Sequence, residues 1–256
     1  KYQYLLEGFS EQELINWLTE VINTPLNIRQ VNSSTTQEQE SKSISLASLS
    51  FEQTLREVEF YFPMADANMA TLANLLSDHR NFNHTKSDQV SNILFKNQLN
   101  TVNLPLYRKL KGMMHGFIDL IFEADGKYFL ADYKSSHLGD AFDEYNMQNL
   151  QMNMSGNYYD LQYLIYAVAL HRYLTLNLAD YDIESHFGGV FYFYLRGMSP
   201  QSGNDNSYLN NDLPQQKGVY FTTLPAELLI NLDNLFSCKD NFTDHDGDRT
   251  GKGGEK

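Results

Sequence analysis

Two aspartates and a lysine, Asp119, Asp132 and Lys134, lie on apolar runs either side of an Asp125-Gly126 pair. An Asp-Gly pair between such runs predicts a β-hairpin with a two-residue type I′ turn. With Asp125 and Gly126 as the turn, Ala124 faces Lys127, and the same register carries on to set Asp119 opposite Asp132. Side chains alternate along a strand, so Asp132 and Lys134 share a face. Opposed Cβ atoms in such a pair lie about 4.5–5.5 Å apart, where like charges destabilise the sheet. Two carboxylates and a lysine gathered this way suggest a site for a divalent cation and an anion, as against a merely solvated polar face.

The chemistry of such a site is hydrolytic. Mg²⁺ held by Asp119 and Asp132 would relieve the carboxylate repulsion, polarise a phosphoryl oxygen and lower the pKa of a bound water. Mn²⁺ accepts the same oxygen ligands. Lys134 could then assist the attacking water or stabilise transition-state charge. Tyr133 points its side chain the other way, while its backbone carbonyl stays near enough to be a ligand. Gly116, three residues before Asp119, fits a place of close approach by backbone or substrate. Gln162 and Tyr166, four apart, share one helix face and could hold Lys134 or bind a phosphate. Glu57, on the polar side of an earlier strand, could supply a third carboxylate.

The elements that must position these groups are legible in outline. Leu14, Ile15, Leu18, Val21 and Ile22 recur at helical spacing over Glu11 to Ile22, and Ser10 with Glu13 forms a capping-box pattern. Ser33 to Ser43 reads as a polar loop. Val58, Phe60 and Phe62 alternate with Glu57, Glu59 and Tyr61 in a strand expected to end at Pro63. Asn68 to Leu76 suggests a short helix, with polar linkage from Asn81 to Ser87. Arg108, Lys109 and Lys111, just before the hairpin, read as a solvated basic loop in preference to a phosphate contact. Tyr158 to Leu174 is the clearest helix, with Leu161, Leu164, Ile165, Val168 and Ala169 as its stripe. A buried strand from His186 to Leu195, a surface loop from Ser199 to Gln216, a strand at Val219 to Thr223 and a helix at Pro225 to Phe236 complete the order. The fold class is therefore α/β, a central mixed sheet flanked by helices. Residues 1–48 form an N-terminal helix and polar insert, 49–237 the core, and 238–256 a polar tail expected to be disordered.

Composition narrows the setting. A chain of 256 residues that is 42% apolar, with 17 Tyr and 16 Phe, can bury a sizeable core. The lone cysteine, Cys238, rules out an internal disulfide framework and fits a reducing, cytoplasmic compartment. No apolar stretch approaches the roughly 20 residues of a membrane span, so no membrane partner is expected. A net charge of −13 argues against tight, independent DNA binding, yet leaves room for a carboxylate metal site supplied with DNA by partners. In the tail, Gly247 to Lys252 has the wrong spacing for a phosphate loop, and Asp244, Asp246, Asp248 and Glu255 lack the turn glycine of a Ca²⁺ loop.

Taken together, Glu57 within Arg56 to Phe60, Gly116 through Asp119, Asp132-Tyr133-Lys134 and Gln162 through Tyr166 resemble the PD-(D/E)XK nuclease superfamily. The Gln-three-residues-Tyr element resembles its RecB-like branch, and the likeness is closest to the C-terminal nuclease domain of RecB subunits of RecBCD, exonuclease V. It covers most of the chain from Leu49 to Phe236 and, more loosely, the first helix. The resemblance implies a restriction-endonuclease-like fold and an Mg²⁺-dependent deoxyribonuclease for recombinational repair, fed with unwound DNA by ATP-driven motors. It implies Asp119, Asp132 and the Tyr133 carbonyl as metal ligands and Lys134 as the catalytic lysine, with Glu57, Gln162 and Tyr166 in support. DNA, especially single-stranded, the RecC and RecD subunits, and RecA are the implied partners.

Two departures qualify this. RecB-like nucleases carry a metal-binding histidine on a helix ahead of the first strand, and none of the seven histidines here matches it. The chain is thus expected to be a fragment whose metal site is one ligand short. No phosphate loop is present, so ATP would act only through an absent helicase part. The competing reading is a silent nuclease fold that docks RecC or RecA. A restriction-type endonuclease would share the metal core and cut duplex DNA at discrete places.

Overall fold

The structure, a computed structural model, describes residues 10–28, 42–85, 102–105, 108–200 and 216–237. Helix α1 (Glu11–Ile22) starts at the expected capping box, with Ser10 Oγ accepting from the Glu13 N–H and Glu13 accepting from the Ser10 N–H. Strands β1 (Leu26–Ile28) and β2 (Lys42–Ile44) pair antiparallel in a small two-stranded sheet; Lys42 and Ser43 fall in the expected polar loop, the rest of which lies outside the described residues. The main sheet has five strands in the order β3 (Thr54–Asn68), β4 (Lys109–Ala124), β5 (Lys127–Lys134), β6 (Phe187–Tyr194), β7 (Val219–Thr222). All neighbours are antiparallel except β5 and β6, which run parallel. That parallel pair requires a crossover, supplied by α3 (Met147–Gly156), α4 (Tyr159–Asn177) and the single turn α5 (Ile183–His186). This is the mixed sheet flanked by helices that the sequence implied, consistent with a restriction-endonuclease-like fold.

Each face of the sheet has its own core. Leu130, Val190, Tyr192, Tyr194 and Tyr220 pack under α2 (Met69–Thr85), α3, α4 and α6 (Ala226–Ser237). Leu229, Leu232 and Phe236 of α6 are fully buried there, each worth about 1.5–3 kcal/mol of transfer free energy. On the opposite face Phe122, Phe129, Phe191 and Phe193 form an aromatic layer, covered by Val21 of α1 and by Leu26 and Ile28 of β1.

Three elements run differently from the sequence expectation. Strand β3 passes through Pro63, paired with Met113, and ends only at Asn68. It is an edge strand, where proline's missing N–H leaves no ladder bond unmade. Lys109 and Lys111 belong to β4 rather than to a loop. Helix α2 continues to Thr85, because its polar half is held from the inside: Arg80 Nε donates to Asp160 Oδ2 at 2.5 Å, and His79 Nε2 lies 2.7 Å from the Tyr163 hydroxyl. Residues 201–215 and the tail from 238 lie outside the described residues, and with them the two calcium-loop and phosphate-loop decoys.

Candidate active site at the fork of the sheet

The Asp125-Gly126 turn has positive φ at both positions, 54° and 75°, as a type I′ turn requires. The register then follows, from Ala124 opposite Lys127 to Leu120 opposite Ala131. The ladder stops there, one pair short of Asp119 and Asp132. Beyond that point β4 continues beside β3 alone and β5 beside β6 alone, so the sheet forks where the two aspartates stand. Across the fork the Tyr133 N–H donates to Asp119 Oδ2 at 3.0 Å.

Backbone strain marks the same place. Arg56 pairs with Leu120 and Val58 with Ile118, which leaves Glu57 and Asp119 facing one another in an interrupted ladder. Ile118 packs with the helical core and Leu120 with the aromatic layer, so both strands switch faces between these pairs. Glu57 makes the switch at φ 52°, a left-handed conformation that costs a non-glycine residue about 1–3 kcal/mol. Its side chain is exposed. Gly116 is explained by packing: a Cβ there would lie 2.8 Å from the Phe60 ring, its cross-strand partner.

Asp132 and Lys134 share the helical face, as alternation required, and they are enclosed rather than solvated. Asp132 is 4% exposed, and its Oδ2 lies 2.6 Å from Lys134 Nζ. The ammonium approaches outside hydrogen-bond geometry, so this buried oxygen has a charge partner and no directed donor. Burial raises the Asp132 carboxyl above its ordinary pKa; Lys134 opposes that rise, and the charge of Asp119 adds to it. The two carboxylates therefore sense one another across the fork.

Helix α4 supplies the rest. Lys134 Nζ donates to Gln162 Oε1 at 3.2 Å, and Gln162 Nε2 donates to the Tyr166 hydroxyl at 2.8 Å. Burial holds the Tyr166 phenol above its ordinary pKa, and the charges of Asp132 and Asp119 push the same way. Hence Lys134, Gln162 and Tyr166 form a chain of contacts leading away from the carboxylates. Two tyrosines that the sequence reading did not single out complete the enclosure: Lys134 Nζ sits 4.0 Å from the Tyr159 ring centroid and 5.1 Å from that of Tyr192. The available signal was a tyrosine inside the buried β6 run, since a buried phenol needs a hydrogen-bond partner. Glu57 stands across from Asp119, but among the described residues no three His, Cys, Asp or Glu side chains converge as a metal group.

No family model matches the chain. Curated relatives are RecB subunits of the RecBCD enzyme. The RecB subunit of Escherichia coli (strain K12) is 35% identical over 236 residues, covering 91% of this chain and 16% of the relative. That of Haemophilus influenzae is 34% identical over 230 residues, 90% of this chain and 15% of the relative. That of Mycobacterium tuberculosis (strain ATCC 25618 / H37Rv) is 31% identical over 202 residues, 75% and 17% respectively. This chain is homologous to one segment of RecB. The likeness to RecB read from the fork residues and the helix thus holds along nearly the whole chain, which spans about a sixth of these relatives. No helix among the described residues is long and apolar enough to cross a membrane.

Proposed function

We propose that the chain is a metal-dependent deoxyribonuclease domain of a RecBCD-type helicase–nuclease, hydrolysing DNA phosphodiesters at double-strand-break ends in the cytoplasm. The observation that carries this reading is the buried Asp132–Lys134 pair on the strand beside Asp119, at the point where the sheet opens. A buried carboxylate oxygen with no directed donor, beside a second carboxylate, fits a hard oxygen-seeking cation such as Mg²⁺ or Mn²⁺. Asp119, Asp132 and the carbonyl of Tyr133 would hold it. Bound there, the ion would supply Lewis-acid polarisation of a phosphoryl oxygen and a more acidic water.

The chain's own groups do the remaining work. Lys134 presents a positive charge beside the carboxylates, where negative charge grows on the phosphoryl oxygens. Gln162 fixes the direction of that ammonium through its Oε1, and Tyr166 fixes the amide in turn. Glu57, strained and facing Asp119, is the supporting carboxylate on the neighbouring strand. The low basic content suits DNA delivered by an assembly, single-stranded DNA above all, with RecC, RecD and RecA as partners and ATP consumed by the helicase part. A docking module without catalysis has no use for the enclosed Asp132–Lys134 pair.

Digestion of end-labelled single-stranded DNA with Mg²⁺ tests this, comparing the chain with Asp132→Ala. Cutting that needs the metal and disappears in the variant is expected. Equal cutting by both would remove catalysis from the fork.

A further inference from the structure

The ammonium of Lys134 is held from four sides, and one of its neighbours has three separate contacts in the cluster. Tyr192 lies on β6 as the parallel register partner of Asp132, so its backbone is fixed beside that aspartate. The residue is wholly buried. Its ring faces Lys134 Nζ at 5.1 Å, and its hydroxyl lies 2.9 Å from Gln162 Oε1 and 3.1 Å from the Tyr159 carbonyl oxygen. The Tyr159 ring is the other aromatic face against the ammonium, stacked on Tyr192 with centroids 5.9 Å apart.

We propose that Tyr192 is the positioning residue of this site, acting through Gln162: its hydroxyl fixes the amide so that Oε1 faces Lys134 and Nε2 faces Tyr166. Two donors, the Tyr192 O–H and the Lys134 ammonium, converge on Gln162 Oε1. An amide has a donor end and an acceptor end of nearly equal shape, and only its partners choose between them. Turning the amide over would set the Nε2 donors against the Lys134 cation and remove the acceptor of the Tyr192 O–H, so both partners favour the same orientation. Without the hydroxyl, the amide is left to Lys134 and Tyr166 alone, and the lysine loses part of the order its neighbour imposed. The hydroxyl's single proton is shared between Gln162 Oε1 and the Tyr159 carbonyl, and both acceptors lie on α4, so the same atom ties that helix to the strand beside Asp132.

This inference deepens the nuclease reading, and its test has an arm that does not rest on it. Tyr192→Phe keeps the ring and deletes the hydroxyl. Expected are a fall in kcat of about tenfold or more, the size typical of lost support around reactive groups, and an unchanged KM for single-stranded DNA. In a Gln162→Ala background the same substitution is expected to cost little, because the residue acts through that amide. An undiminished kcat, or losses that multiply in the double variant, would overturn the inference. Should the wild-type chain not cut DNA at all, the nuclease reading fails instead, and labelling decides this one. Reductive methylation of Lys134, quantified by peptide mass spectrometry against exposed Lys111, is expected to rise several-fold in Tyr192→Phe. Equal labelling would overturn it.

Discussion

Replacing Lys134 by methionine should be costly, and more so at high pH. The ammonium is the charge nearest to the enclosed Asp132 carboxylate. Methionine fills a similar volume and leaves that carboxylate without its counter-charge, a change that costs about 3–5 kcal/mol in comparable buried pairs. For a chain of this size that corresponds to a fall in Tm of roughly 6–20 °C. The pH dependence has a definite sign. Burial already holds Asp132 above its ordinary pKa, so the native state binds this proton more tightly than the unfolded chain does. Stability contributed by such a group is greatest in acid and falls as pH rises from the ordinary carboxylate value through the raised one. Removing Lys134 deletes an influence that lowers this pKa, which raises it further and extends the window upward. Urea denaturation of both proteins with a chelator, at pH 5 and pH 8, measures the effect. The loss should be larger at pH 8, and Asp132→Asn added to Lys134→Met should recover up to about 3 kcal/mol as coupling. A loss below about 1 kcal/mol, or one equal at both pH values, would show that the pair is not the enclosed ion pair described here.

Arg80→Met should destabilise by a similar amount, about 3–5 kcal/mol in urea denaturation, because Asp160 is left buried and unpaired at a joint between α2 and α4. Gly116→Ala should cost about 1–3 kcal/mol through the clash with the Phe60 ring, and Phe60→Leu in the same chain should return part of it, read from the urea midpoint.

The parts of the site that were legible in the sequence depend on short-range rules. The turn at Asp125-Gly126 set the register, and the register with strand alternation placed Asp132 and Lys134 on one face near Asp119. Four-residue helical spacing placed Gln162 and Tyr166 together. What stayed hidden depends on pairing between distant residues. Arg80 reads as a polar interruption until Asp160, eighty positions later, is seen beside it. The tyrosine enclosure of Lys134 needs the parallel pairing of β5 with β6, and nothing local in either strand specifies that partner. The face switch at Glu57 was invisible for a different reason: a glutamate carries no preference for positive φ, so the strain is imposed by the strands around it.

The forked sheet also predicts an order of folding, which φ-values at the two strand pairs would check. The β4–β5 hairpin needs only a two-residue turn and can close on the scale of about 1–10 μs. Closing it brings Asp119 and Asp132 near one another against their like-charge repulsion. Pairing of β5 with β6 must instead close the long crossover between Lys134 and Phe187, a non-local contact of the kind that slows folding. On this order the carboxylates are expected to meet before β6 and α4 enclose Lys134. Burial of that one ammonium is consequently a natural reporter of the last stage of assembly, and a chain stalled before it would carry its acidic pair without the cation that completes the site.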